Sequence, residues 1–164
     1  MKKVWLLIKK IISDLVILVL AIFFIIAIYG FINIKILKKD YVNLFGYTYF
    51  DIITGSMEDT INVHDMVFVK ITEDVKEGDI ISFKSEDMII THRVYKVDDD
   101  LIITKGDANN TLDKPIKKDQ VIGKVVKIGR RYGLVLKTLM TPIVLISLFA
   151  TVVLFCIYFS IEEK

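Results

Sequence analysis

The stretch DMIITHRVYKV, residues 87–97, alternates in a way that predicts a β-strand, and it is rich in β-branched and aromatic side chains. One face of that strand is apolar apart from a single imidazole, and it carries Met88, Ile90, His92 and Val94. A histidine among apolar neighbours is either a core residue bonded to the backbone or a partly buried base. A buried, neutral imidazole can accept a proton, so both interpretations of His92 stay open at this point.

Five further runs of apolar and β-branched residues flank this strand and are separated by turn residues; they are residues 47–53, 66–69, 79–83, 101–104 and 121–128. Six short strands within roughly residues 41–133 predict one small, mainly β domain, either a barrel or a sandwich.

Two apolar runs enclose this segment. Residues 15–34 and 138–161 hold no charged side chain over 20 and 24 positions, and they raise the hydrophobic content of the chain to 54%. As helices they would reach about 30 and 36 Å, enough to cross a hydrocarbon core. We therefore predict a transmembrane helix on each side of the β domain. The first run is longer than a signal-peptide core and does not end in small residues, so an anchor is favoured over a cleaved leader.

The charges at the two ends predict the topology. Residues 1–14 carry a net charge of +3, whereas residues 35–137 are balanced at zero. Short basic flanks stay in the cytoplasm and long segments translocate regardless of charge. We expect a cytoplasmic N-terminus at residues 1–14, an extracytoplasmic domain at 35–137, and a cytoplasmic tail at 162–164. Basic residues at the outer ends of the spans argue the other way: Lys35, Lys38, Lys39, Arg130, Arg131 and Lys137.

The cysteine content excludes several classes of site. The one cysteine, Cys156, lies in the second apolar run. An intrachain disulfide, a cysteine metal site and a cysteine nucleophile in the β domain, as in a sortase-like transpeptidase, are therefore excluded. We expect no metal, no cofactor and no nucleic-acid partner.

Three serines fall in residues 35–137, and Ser56 differs from Ser82 and Ser85 because it follows a glycine at the end of a predicted strand. A serine nucleophile needs a base within hydrogen-bond reach and a third group that orients the base. His92 is the better candidate base, because His64 lies in a polar turn. Asp107 and Asp113 are candidate acids; a turn serine without catalytic function is the alternative.

Four motifs of this region, taken in order, resemble type I signal peptidases. GSMEDT at residues 55–60 resembles the nucleophile motif, and EGDIISF at 77–83 the Gly-Asp-Ile motif that follows it. THRV at 91–94 and KGDAN at 105–109 resemble the base motif and the Lys-Gly-Asp-x-Asn motif. Histidine in the base motif is similar to the endoplasmic-reticulum, archaeal and SipW-like (Ser-His-Asp) branch of the S26 family.

This resemblance implies a membrane-bound serine endopeptidase that removes signal peptides from secretory preproteins. It implies Ser56 as nucleophile, His92 as base and the backbone N–H of Ser56 as oxyanion donor. It maps the acid to Asp107 or Asp113, and we rank Asp107 first because it follows a strand directly. The expected partners are secretory preproteins and the lipid bilayer, at a bacterial or archaeal plasma membrane.

Two positions depart from the resembled motifs. Asp59 stands where the family usually has proline, and His64-Asp65 replaces a common Gly-Asp turn. The loss of proline affects the expected rigidity of the loop rather than the chemistry. The alternative function is a non-catalytic, membrane-tethered β domain, a degenerate paralogue that binds a partner.

Overall fold

The computed structural model describes residues 2–139 and, beyond them, residues 141, 143, 144, 146, 147, 149–151 and 154. A 30-residue helix, α1 (Lys2–Phe31), continues into a π-helical turn, Ile32–Ile36. Leu7–Ile36 is, within the described residues, the one helical stretch long and apolar enough to cross a membrane by length and composition. It contains the predicted first span at 15–34. The predicted second span, residues 138–161, lies largely outside the described residues.

The β domain lies in a separate compact unit, Asn43–Met140. Its seven strands are β1 (Tyr47–Asp51), β2 (Met66–Ile71), β3 (Ile80–Ser85), β4 (Met88–Asp98), β5 (Leu101–Lys105), β6 (Ile116–Lys117) and β7 (Val121–Gly129). A short 3-10 turn (Lys118–Gln120) precedes β7, and a helix, α2 (Tyr132–Leu139), follows it. All six predicted strands are present, and the two-residue β6 is too short to produce a sequence pattern.

The strands form one antiparallel sheet in the order β1-β2-β7-β3-β4-β5-β6. The predicted mainly β domain is therefore present; of the two architectures predicted, a barrel or a sandwich, the barrel is not closed. Within the described part of the chain, β1 and β6 are the sheet's edges and do not pair with each other.

Two apolar clusters pack on the sheet. One is built around Ile81, Phe83 and Val94, and the other around Val67 and Val69. Ile80 packs against the second cluster and Ile81 belongs to the first, as expected for consecutive strand residues that point to opposite faces. Loop side chains complete both clusters: Val75 in the first, Met57 and Ile61 in the second.

The loop between β1 and β2, residues 52–65, carries Ser56 and is closed at its base. The N–H of Ile52 donates to the carbonyl of Asp65, and the N–H of His64 donates to the carbonyl of Ile52, at 2.9 and 2.8 Å. Met57 and Ile61 are almost fully buried. Because Met57 and Ile61 are anchored in the core, they fix the position of Ser56 relative to the sheet.

Asp65 joins this loop to the end of the sheet. Its buried carboxylate accepts hydrogen bonds from the N–H of Asn62 and of Arg131, at 3.0 and 2.9 Å. The N–H of Gly133 also donates to the carbonyl of His64. Asp65 thus has a structural role, because it ties the β1–β2 loop to the start of α2.

The two departures from the family motifs both have left-handed backbone, with φ of 74° at Asp59 and 72° at His64. Glycine adopts this region without steric cost, which explains a Gly-Asp turn at position 64. Proline is fixed near φ −65°, so it cannot occupy position 59 in the observed conformation. Aspartate supports the turn here, closed by the N–H of Thr60 and the carbonyl of Met57.

Restoring proline at position 59 is therefore expected to destabilise the domain, whereas Asp59→Gly should stabilise it by about 0.5–1 kcal/mol through relief of the left-handed strain. Asp99→Gly is the matched control, because Asp99 also has a positive φ but lies in the β4–β5 hairpin. It should give a similar gain. Urea unfolding followed by circular dichroism measures all three, and a proline variant as stable as the wild type would show that the loop adopts another conformation.

Candidate active site

Three elements bring a serine, a histidine and an aspartate into one line. Ser56 lies in the β1–β2 loop, His92 in the middle of β4, and Asp113 in the loop after β5. The Oγ of Ser56 is 3.0 Å from Nε2 of His92, and Nδ1 of the same ring is 2.5 Å from Oδ2 of Asp113. His92 is 6% exposed and its ring meets Phe83 edge to face. Burial of His92 agrees with the alternation of the strand.

The order of donors follows from the chemistry of the three groups. An ionised carboxylate only accepts hydrogen bonds, so Nδ1 of His92 carries the proton that is donated to Asp113. Nε2 is then the unprotonated nitrogen, and it faces the hydroxyl of Ser56. This is the tautomer that can take the serine proton.

The same carboxylate oxygen has a second donor. The Oγ1 of Thr104, a fully buried residue in β5, donates to Oδ2 of Asp113 at 2.7 Å. The N–H of Asp113 in turn donates to the carbonyl of Thr104 at 2.9 Å. Asp113 is therefore attached to β5 through both its backbone and its side chain.

Asp107 has a different partner. Nε and Nη2 of Arg93 donate to its two carboxylate oxygens at 2.9 and 2.7 Å, and the hydroxyl of Thr60 donates to it at 2.6 Å. The third guanidinium nitrogen of Arg93 donates to the carbonyl of Gly78. The hydrogen bond from Arg93 lowers the pKa of Asp107 below its ordinary value, against the opposing effect of burial.

The Asp107 loop also contacts the backbone of Ser56. The N–H of Ala108 donates to the carbonyl of Ser56 at 3.0 Å. A Cβ on Gly106 would lie 2.5 Å from that carbonyl oxygen, so only glycine permits this approach. The glycine of the Lys-Gly-Asp motif is thus explained by contact with Ser56.

These contacts reverse our ranking of the two acids. The sequence placed Asp107 first because it directly follows a strand, but the structure pairs His92 with Asp113 and pairs Asp107 with Arg93. The register is the reason. Arg93 lies opposite Lys105, which brings the loop immediately after β5 to the arginine, and the chain returns to the histidine at Asp113.

Three threonines near the site were not identified from the sequence. Thr104 and Thr60 received no role, although Thr104 shares the buried face of β5 with Ile102. A hydroxyl on an otherwise apolar face needs a partner, and that was the available signal. Thr54, whose hydroxyl is 3.5 Å from the Oγ of Ser56, was also not singled out.

His64, which we ranked below His92 as a candidate base, is exposed. Among the described residues, no group of three acidic, histidine or cysteine side chains could hold a metal.

Two comparisons with known proteins show what the chain is similar to. A family model described as Peptidase S24-like matches residues 33–126, more than half of the chain. Signal peptidase I W of Bacillus subtilis (strain 168) is 37% identical over 87 residues, and the match covers 48% of this chain and 46% of that protein. The chain thus aligns with about half the length of this relative.

The similarity to signal peptidase I W supports the SipW-like branch of the type I signal peptidases, and the family match shows that the chain belongs to the Peptidase S24-like family.

Proposed function

We propose that the chain is a membrane-anchored serine endopeptidase that removes N-terminal signal peptides from secreted preproteins. The observation that carries this proposal is the hydrogen-bonded line from Ser56 through His92 to Asp113. A serine near a buried histidine is common, but a buried imidazole with one nitrogen on a hydroxyl and the other on a carboxylate is the arrangement that activates a nucleophile.

In this mechanism Nε2 of His92 takes the proton of Ser56 while Oγ attacks the carbonyl carbon of the scissile bond. The tetrahedral intermediate collapses when His92 returns the proton to the leaving amine, which gives an acyl-enzyme at Ser56. His92 then removes a proton from water as the water oxygen attacks the ester carbonyl, and the second tetrahedral intermediate collapses when His92 returns this proton to Oγ of Ser56, which releases the new carboxyl end. Asp113 keeps the proton of the ring on Nδ1 and stabilises the imidazolium that forms in each step.

We place the oxyanion at the backbone N–H of Ser56. The contact of the Ser56 carbonyl with Ala108 and the close approach of Gly106 support this, because both restrict rotation of the nucleophile's backbone. A donor held in advance stabilises developing charge without reorganisation.

The substrate in this proposal is a signal peptide with small residues at the first and third positions before the cut. The strand β1 is a sheet edge, and it leads directly into the loop that carries Ser56. An extended peptide added to such an edge presents alternate side chains to the domain, so two shallow pockets on one side would read those two positions.

The apolar helix supports a membrane location for the enzyme. Leu7–Ile36 has the length and composition of a span, and signal peptides are themselves apolar and membrane-bound. Confinement of enzyme and substrate to one surface raises their effective concentration. We propose a cytoplasmic N-terminus, a second span at residues 138–161, and a β domain on the outer side of the plasma membrane.

Ser56→Ala should reduce preprotein processing by about 10³-fold or more, because the acyl-enzyme cannot form. Ser85→Ala is the matched control, since Ser85 lies at the end of β3 and lacks the contact with His92; it should process like the wild type. The assay is co-expression with a tagged secretory preprotein and detection of the mature form. Full processing by Ser56→Ala would favour the non-catalytic binding domain instead.

The two aspartates should differ in their effect on activity. Asp113→Asn is expected to lower the processing rate by about 10²–10⁴-fold, because an amide favours the wrong ring tautomer. Asp107→Asn should cost less than about tenfold at a temperature where the variant is folded, since its partner is Arg93. Processing rates of both variants, normalised to protein level, test this; the opposite order would return the orienting role to Asp107.

Asp107 should instead affect stability in a pH-dependent way. Its folded-state pKa is lowered, first by the hydrogen bond from Arg93, so the ionised form stabilises the fold. That contribution is complete above the unfolded pKa, about 3.9 for aspartate, and is lost as pH falls through the lower folded pKa.

At pH 7, Asp107→Asn should lower the free energy of unfolding by about 1–2 kcal/mol, a value reduced by the partial exposure of Arg93. The gap between wild type and variant should shrink as the pH is lowered from 5 to 3. Urea unfolding at several pH values measures it, and a gap that does not change with pH would show that the Asp107 charge contributes nothing.

A further inference from the structure

Oδ2 of Asp113 receives two donors, the ring Nδ1 of His92 at 2.5 Å and the hydroxyl of Thr104 at 2.7 Å. Thr104 is fully buried, while the side chain of Asp113 remains 26% exposed. The carboxylate therefore lies between a buried hydroxyl and a buried ring, with one side open to water.

The hydroxyl is not required to hold the chain in place. The N–H of Asp113 already donates to the carbonyl of Thr104, and this bond fixes the backbone of residue 113. What the backbone bond leaves undetermined is the rotation of the carboxylate, because the last torsion of an aspartate side chain has a broad, shallow preference. A partly exposed carboxylate can also turn toward water.

We propose that Thr104 is a positioning residue of the hydrolytic site: its hydroxyl fixes the rotation of the Asp113 carboxylate, so that Oδ2 faces Nδ1 of His92 and Nε2 faces Ser56. This rests on the proposed function of Ser56. It extends the line of hydrogen bonds by one member, from Ser56 through His92 and Asp113 to a residue in the interior of β5. The sheet, rather than the exposed loop, thereby sets the direction of the ring.

Thr104→Val tests the hydroxyl with little change in shape. We expect kcat for a synthetic signal-peptide substrate to fall about ten- to hundredfold, the loss of one hydrogen bond to a charged group expressed as a rate, with KM within about twofold of wild type. Thr104→Ser restores the hydroxyl and should stay within about threefold of the wild-type kcat. Thr104→Ala is a second variant without the hydroxyl and should behave like the valine variant.

Thr91→Val is the matched control for the loss of a buried threonine hydroxyl. Thr91 precedes His92 in β4, is buried, and shares a 2.8 Å hydrogen bond with Ser82. Its substitution should lower stability about as much as Thr104→Val while leaving kcat near wild type. Thermal unfolding of each variant supplies the stability. An equal loss of kcat in both valine variants would mean that buried hydroxyls matter only through stability, and would overturn the proposal.

The ring proton gives a readout that does not depend on activity. The chain has two histidines, so the spectrum of the full chain, labelled with ¹⁵N-histidine in lipid nanodiscs, contains two imidazoles, and His64→Gln assigns them. We expect a far-downfield Nδ1 proton for His92 in the wild type and in Thr104→Ser. It should be shifted upfield or lost to exchange in Thr104→Val. An unchanged resonance in the valine variant would contradict the proposal.

The two proposals fail in different ways. If Ser56→Ala cleaves the peptide as fast as the wild type, the proposed function fails, whatever the Thr104 variants do. If Ser56→Ala is inactive and Thr104→Val keeps the wild-type kcat, the hydrolytic function stands and the role of Thr104 is wrong.

Discussion

The hydrogen bond between Asp113 and His92 is the interaction on which the rest of the site depends. Without it the imidazole has no preferred tautomer, and the 3.0 Å contact between Nε2 and the hydroxyl of Ser56 would not define a base. It connects three segments distant in sequence: the β1–β2 loop, the middle of β4 and the loop after β5. Much of the local structure can be understood as the means of holding these three segments in register.

Two consecutive residues of β4 make most of the contacts that hold these three segments together. His92 binds Ser56 and Asp113, while Arg93 binds Asp107 and the carbonyl of Gly78. Asp107 in turn accepts a hydrogen bond from Thr60 in the nucleophile loop. The arginine–aspartate pair therefore joins the same two loops that the histidine joins, but without contact to the reacting hydroxyl. In the proposed mechanism one strand thus provides both the base and the contacts that support its geometry, and the two acids have separate roles.

The sequence predicted the parts of this arrangement that depend on local patterns. Runs of apolar and β-branched residues identified the strands, alternation placed His92 on an apolar face, and the preceding glycine and the resembled motif singled out Ser56. The sequence ranked Asp107 above Asp113, whereas the structure pairs His92 with Asp113, because the pairing depends on the alignment of Arg93 with Lys105, a tertiary register that neither loop encodes alone. The sequence also did not predict that the sheet is open. Closure depends on whether the edge strands pair, and the edge strand β6 has two residues, too few to give a sequence pattern. The role of Thr104 could not be predicted, because the sequence does not show that its hydroxyl faces Asp113.

The central claim is that Ser56, activated by His92, forms a covalent tetrahedral adduct during the reaction. A peptidyl boronic acid ending in alanine tests it directly, because at a pH where the free boronic acid is trigonal, bonding of the Ser56 oxygen makes the boron tetrahedral. The measurement is ¹¹B NMR of the full chain in nanodiscs, under conditions in which it processes a preprotein. The account predicts a tetrahedral boron signal that is absent in Ser56→Ala and weakened in Asp113→Asn. A tetrahedral signal that persists in Ser56→Ala, or none in an actively processing wild type, would contradict it.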